Sequence, residues 1–117
     1  MHNFKNIIAW QKSRELVKDI YMLTASFPKE EVYGLTSQMK RASVSIPSNI
    51  AEGTSRTDKD FSRFLDFSIG SSFELETQLI LSNDLGFITN EKLDWINLKV
   101  SEVQKVIYGF QRNLKTN

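Results

Sequence analysis

Seven apolar residues toward the C-terminal end, Leu93, Ile96, Val100, Val103, Ile107, Phe110 and Leu114, recur at spacings of 3-4-3-4-3-4. That period holds them on one stripe of an α-helix and would scatter them over both faces of a β-strand. A stripe three heptads long has to be buried against other helices. The rest of the chain offers three. Ala9, Ser13, Leu16, Ile20, Leu23 and Phe27 are spaced 4-3-4-3-4, and Leu35, Met39, Ala42, Ile46 and Asn49 are spaced 4-3-4-3. A third segment runs through Phe61, Phe64, Leu65, Leu75 and Leu79 to Leu85. The spacing predicts an all-α, up-down-up-down four-helix bundle whose short polar links join antiparallel neighbours. With 117 residues and no internal repeat, low-complexity tract or linker, residues 1–117 read as one domain.

Local signals set the expected boundaries. Phe27 precedes Pro28, which disfavours helical geometry in the residue before it, so the first helix is predicted to end near Ser26 or Phe27. Gly53 reads as a left-handed terminator of the second helix. Pro47 inside that helix lacks an N–H and crowds the Ser43 carbonyl, which predicts a kink or an interruption. Ser43, Ser45 and Ser48 are candidates to satisfy the freed backbone groups. Thr57 is the expected N-cap of the third helix and Gly86 its stop, and Thr89 or Asn90 caps the fourth. Lys115 to Asn117 are expected to fray. Ser68, Gly70, Ser71 and Ser72 leave room at mid-helix for a neighbouring backbone to approach. Asn49 falls in the apolar seam of helix 2, where it either fixes helix register or is rotated outward by a kink at Pro47.

Much chemistry is excluded by what is missing. With no Cys, the chain forms no disulfide, thiolate metal site, iron–sulfur cluster or thiol nucleophile. A core of this size needs no such staple. Its single histidine, His2, lies beside a terminus expected to be mobile, so no Ser-His-Asp triad, HExxH zinc site or Glu-x-x-His di-iron pair can be built within one core. Glu74 and Glu76 point about 200° apart on a helix, poor geometry for a shared acid–base site. They read as separate, with Glu74 outward and Glu76 at the core edge in a hydrogen-bonded structural role. No GxxxxGK[ST] or GxGxxG element occurs, and no cofactor is expected. No apolar run approaches the ~20 residues of a membrane span, and Met1 to Lys5 lacks a signal-peptide stretch, so a cytoplasmic protein without membrane partners is expected.

The net charge of +1 does not by itself point to nucleic acid, but it is unevenly distributed. Met1 to Arg41 holds seven basic and four acidic residues, Ala42 to Gly86 three and seven, and Phe87 to Asn117 five and three. One reading is solvated helix faces with local pairs such as Arg56, Asp60 and Arg63. The other is an acidic segment of one subunit meeting a basic segment of another. Lys12, Arg14, Lys18, Lys40 and Arg41 are candidate phosphate contacts, with Trp10, Tyr21 and Tyr33 as rings able to stack on bases or to pack in core or interface.

Helix 3 carries more apolar surface than one bundle can bury. With Phe61 at zero and about 100° per residue, Phe61, Leu65, Leu75 and Leu79 form the core stripe. By the same helical count Ile69, Phe73 and Ile80 lie to one side of that stripe, and Phe67, Leu81 and Leu85 almost opposite it. Trp10, Val17 and Tyr21 form a matching excess on helix 1. Two unlike patches predict a head-to-tail homo-oligomer that closes into a ring.

Several runs go beyond generic bundle patterning. Phe4, Trp10-Gln11-Lys12, Phe27-Pro28-Lys29-Glu30-Glu31, Tyr33-Gly34-Leu35-Thr36-Ser37-Gln38 and Lys40-Arg41-Ala42 lead into Ser45-Ile46-Pro47-Ser48-Asn49-Ile50-Ala51-Glu52-Gly53. Arg63-Phe64-Leu65, Gly70-Ser71 and Glu74-Leu75-Glu76-Thr77-Gln78-Leu79 follow. Together they resemble the four-helix-bundle proteins encoded by intervening sequences in bacterial 23S ribosomal RNA genes, often labelled S23 ribosomal proteins. Thr54 stands where many relatives carry an aromatic residue. The resemblance implies a bacterial cytoplasmic protein without enzymatic activity. It also implies a relationship to the accessory variability protein of diversity-generating retroelements, a barrel-like pentamer that binds nucleic acid and a reverse transcriptase. The expected partners are therefore copies of itself in a pentamer, RNA or DNA, and a protein partner. Two functions follow: a nucleic-acid-binding accessory module, or a scaffolding oligomer with no nucleic-acid role.

Overall fold

The computed structural model describes residues 2–114, so the expected fraying of Lys115 to Asn117 lies outside the described residues. Four helices account for most of it: α1 (Ile8–Thr24), α2 (Leu35–Gly53), α3 (Asp58–Asp84) and α4 (Asn90–Arg112). Short 3-10 turns at Phe4–Asn6 and Lys29–Glu31 precede α1 and α2, and there is no strand among the described residues. No helix is long and apolar enough to cross a membrane.

Side-chain bonds between helices give the direction of each pair. Ser68 and Ser82 of α3 reach Ile46 and Met39 of α2, so the later residue meets the earlier one. Gln104 and Gln111 of α4 reach Glu76 and Asp66 of α3 in the same sense, and Lys99 and Glu102 of α4 meet Asp19 and Lys12 of α1. Every neighbour is antiparallel, and α1 lies beside α2 and α4 with α3 on the diagonal. This is the expected up-down-up-down bundle. Leu16, Ile20, Met39, Ile46, Phe61, Leu75, Ile96 and Ile107 lie at its centre, each no more than 1% exposed.

The capping predictions hold for α3 and α4. Thr57 accepts from the Asp60 N–H and Thr89 from the Lys92 N–H. Gly86, at φ 80°, ends α3. Phe87 N–H donates to the Ser82 carbonyl and Gly86 N–H to that of Asn83, closing a Schellman motif around the left-handed glycine.

Three boundary expectations need correction. Helix α1 ends at Thr24, earlier than Ser26 or Phe27. The Phe27 N–H bonds the Thr24 carbonyl in a turn that buries the Phe27 ring against Phe87, centroids 5.4 Å apart. Gly53 is not a left-handed terminator, because among the described residues only Gly86 has positive φ. Its role is steric: a Cβ there would lie 2.5 Å from Phe61 Cδ1 and 3.0 Å from Phe64 Cβ. Helix α2 also passes through Pro47 without a break, which rules out interruption and leaves bending as the form any distortion takes.

The serine expectation around Pro47 is not met: the proline frees the Ser43 carbonyl, and among the described residues none of Ser43, Ser45 and Ser48 donates to it. Ser43 Oγ turns back to the Lys40 carbonyl, while Asn49 Nδ2 donates to the Ser45 carbonyl at 2.9 Å and Ser68 Oγ to that of Ile46 at 2.8 Å. Asn49 is half-buried and works within its own helix. Thr54 is buried with its hydroxyl on the Ala51 carbonyl at 2.6 Å.

Two glycines therefore predict opposite outcomes. Gly53→Ala is expected to destabilise the subunit by about 1 to 3 kcal/mol through overpacking at Phe61. Gly70→Ala, where an added Cβ meets nothing within 4 Å, is expected to stabilise the separated subunit by roughly 0.5 to 1 kcal/mol. Urea unfolding of both variants checks this, and equal midpoints would contradict it.

Candidate interaction surface

Helix α1 splits the predicted cations between two walls. Relative to Lys12, a step of about 100° per residue puts Arg14, Lys18 and Tyr21 roughly opposite it. Lys12 faces α4, where its ammonium pairs with Glu102, and two turns on Asp19 pairs with Lys99 at 2.9 Å. The Lys12 ammonium is held above its usual 10.5 by the hydrogen bond and charge of Glu102, and Lys12 holds Glu102 below its usual 4.5. Lys12 thus fastens the α1–α4 seam, away from the other four candidates.

Those four share the α1–α2 wall. Arg14 lies over the Trp10 ring at 5.5 Å and Lys40 over the Tyr21 ring at 4.7 Å. Lys18 is one turn from both Arg14 and Tyr21 on α1, and Arg41 lines a shallow concavity with Tyr21, Val32, Lys40 and Val44. Among the described residues no carboxylate forms an ion pair with any of the four. The aromatic candidates separate too: Tyr33 is 95% exposed, Trp10 is half-buried against the core, and Tyr21 lies between the two.

The predicted interface residues divide in the same way. Phe67, Phe73, Ile80 and Leu81 of α3 are each close to half exposed, and Leu85 more so. Val17 and Trp10 are half-buried beside Tyr21. Ile69 is a correction: at 6% exposed it belongs to the core, on the side of α3 where Ser62, Ser72 and Glu76, seven before and three and seven after it, bond Gln111 and Gln104 of α4. Trp95, Leu98 and Tyr108 of α4 are exposed, and sequence reasoning misses them. Their offset from the 93–114 stripe carries the signal, and the regularity of that stripe conceals it.

His2 is another correction, since it is tied down. Its Nε2 lies 3.1 Å from Asp58 Oδ1 and its ring packs edge-on to Phe61 and Phe110. Glu74 and Glu76 are separate as expected, accepting from Gln78 and Gln104 respectively. Among the described residues no three His, Asp or Glu side chains group to hold a metal.

The model of the 23S rRNA-intervening sequence protein family matches residues 5–109. The chain belongs to that family. A crystal structure of a protein of unknown function from the S23 ribosomal protein family of Bacteroides thetaiotaomicron VPI-5482 is similar in fold, with a TM-score of 0.82. The two are 23% identical over 91% of this chain and 96% of that one. No curated protein matches.

In this 23S rRNA-intervening sequence protein, the Ser45–Gly53 run has a structural explanation. Ser45 bonds both Asn49 and Ser71, Ile46 accepts from Ser68, and Gly53 admits Phe61, so the run builds the α2–α3 seam.

The Lys12–Glu102 pair carries a pH dependence. Because the Lys12 value is raised on folding, its contribution is complete below 10.5 and lost as pH climbs through the raised value. Because the Glu102 value is lowered, its contribution is present above 4.5 and lost as pH falls through the lowered value. The stability gap between wild type and a Lys12→Met/Glu102→Gln variant is therefore expected to be widest between those limits and to close at both ends. It should also shrink in concentrated salt. Thermal melts across pH read it, and a gap independent of pH would contradict the assignment.

Proposed function

We propose that this protein acts without catalysis as a self-assembling interaction module, a closed ring of identical four-helix subunits. The observation that carries the reading is the outer surface of α3, where Phe67, Phe73, Ile80, Leu81 and Leu85 are all between 45% and 61% exposed. Five large apolar side chains on one helix exceed what a solitary subunit normally leaves in water. The core stripe of α3 is already filled, so these residues have no further use inside the bundle. Five subunits is the number implied by the resemblance to the accessory variability protein. A mass several times 13.5 kDa at micromolar concentration, read by light scattering after size exclusion, is the expected result. A mass of 13.5 kDa removes the reading, and a dimer or hexamer removes only the number.

A second reading, nucleic-acid binding, is favoured by one specific arrangement. Among the described residues Arg14, Lys18, Lys40 and Arg41 form no ion pair with a carboxylate, and they stand beside two aromatic rings, a combination suited to phosphate and base contacts. Repetition of the four cations around a ring would multiply weak contacts. Lys12, held by Glu102, is no longer part of this set. On this reading Lys40→Glu/Arg41→Glu weakens binding of a single-stranded RNA or DNA oligonucleotide at least tenfold and lowers its salt slope, with the helical circular dichroism intact. Unchanged binding by the folded variant would discard it.

A further inference from the structure

Helix α3 carries a second 3-4 seam, separate from the one in the core. Asp66, Gly70, Phe73, Thr77, Ile80 and Asp84 are spaced 4-3-4-3-4, and every one of them is exposed. Helices pack through such seams, and among the described residues this one is left open apart from Asp66, at one end, which meets α4. Gly70 lies toward its middle. Glycine within a helix weakens it, and nothing in the subunit uses the room, since the position of a Cβ is open for 4 Å. The centre of the seam is apolar and both ends are acidic. Asp66 accepts a hydrogen bond from Gln111, and neither aspartate forms an ion pair among the described residues. The nearest cation along the ridge, Arg63, is held by Asp60 at 3.1 Å.

The opposite wall of the bundle has the complementary character. Trp10, Arg14, Val17 and Tyr21 are spaced 4-3-4 on the flank of α1 that borders α2. Lys18 stands beside them, and Lys40 and Arg41 across the groove. The floor is aromatic and apolar, and among the described residues the four cations form no ion pair with a carboxylate.

We propose that α3 of one copy packs through its Asp66–Asp84 seam onto the α1–α2 wall of a second copy, with Phe73 and Ile80 against Trp10, Val17 and Tyr21 and the acidic ends of the seam against the cations. The proposal rests on the assembly reading and adds to it which faces meet. Because the faces are unlike and lie on opposite walls, the contact is heterologous and leaves each copy with one free face of each kind, the condition for a ring. Opposite charge at the two ends sets the register that the apolar centre alone would leave loose. The cations then serve docking between subunits.

Two charge-reversed chains test it. Arg14→Glu/Lys18→Glu/Arg41→Glu makes both docking faces acidic, and Asp66→Lys/Asp84→Lys makes both basic. Each alone is expected to fall to a mass of 13.5 kDa with wild-type helical circular dichroism, and an equimolar mixture to recover a heavier complex containing both. A wild-type mass of 13.5 kDa overturns the assembly reading and this proposal together. An assembled wild type whose variants both keep its mass overturns the pairing alone, as does a mixture that stays dispersed. If the α1–α2 variant loses single-stranded RNA binding while keeping its mass, the cations belong to nucleic acid and the pairing falls. Gly70→Trp, which fills open space in the subunit, keeps the test decisive should a reversed chain fail to fold: dispersal supports the proposal, and an unchanged mass overturns it.

Discussion

The bundle depends on how closely α2 and α3 approach. At their crossing Gly53 leaves no space even for a methyl group between α2 and the Phe61 ring, and Ser68 is near enough to donate to a backbone carbonyl of the other helix. Small side chains meet there: Ser71 reaches Ser45 at 3.1 Å, and Ser68 lies on the Ile46 carbonyl. Next to Pro47, the Ile46 carbonyl receives a donor from α3. A serine donor buried in an apolar seam has few other acceptors, which makes the registration of α2 on α3 strongly specified.

Where the chain reports its own structure, it does so through periodicity and caps. The four stripes, the N-caps at Thr57 and Thr89 and the stop at Gly86 are legible because each depends on a few neighbouring residues. The errors share a cause. Gly53, Ile69 and the end of α1 at Thr24 depend on which helix lies alongside and how near, and a one-dimensional pattern does not encode a distance. Sequence alone gives Gly53 the commonest use of a glycine at a helix end, and its actual use emerges only with Phe61 in place. His2 looks idle from its position beside a terminus, because its partners Asp58, Phe61 and Phe110 stand on α3 and α4, far along the chain.

The candidate surface is legible in part. Exposed apolar residues of α3 stand out because they fall off a stripe that is already complete. The exposed seam from Asp66 to Asp84 has the same 3-4 spacing as the core stripes and escapes notice in the sequence because most of its members are Asp, Gly and Thr. Searching for apolar residues finds cores, which are uniformly apolar, and passes over docking surfaces, which have to remain soluble before they dock. The cations can be found by type, but their division into Lys12 on one wall and the other four on another requires knowing which helix each faces.

Charge and apolar exposure on α3 belong to one problem. A net charge of +1 gives the chain little general electrostatic repulsion to keep copies apart. Half-exposed Phe73 and Ile80 would then favour indiscriminate association if nothing restricted how copies meet. In the proposed docking, aspartates at both ends of the seam supply the restriction: two α3 seams brought together would place like charges at the contact, while a basic wall would be accepted. A symmetric α3–α3 dimer is thereby disfavoured and a head-to-tail contact permitted. The uneven distribution of charge along the chain, acidic in the middle and basic before it, is the sequence-level form of the same arrangement, because the middle is largely α3 and the basic stretch is α1 with the first turns of α2. Near-neutral overall charge and strong local polarity are thus compatible: in the proposed ring the first lets copies approach and the second selects the orientation in which they fit.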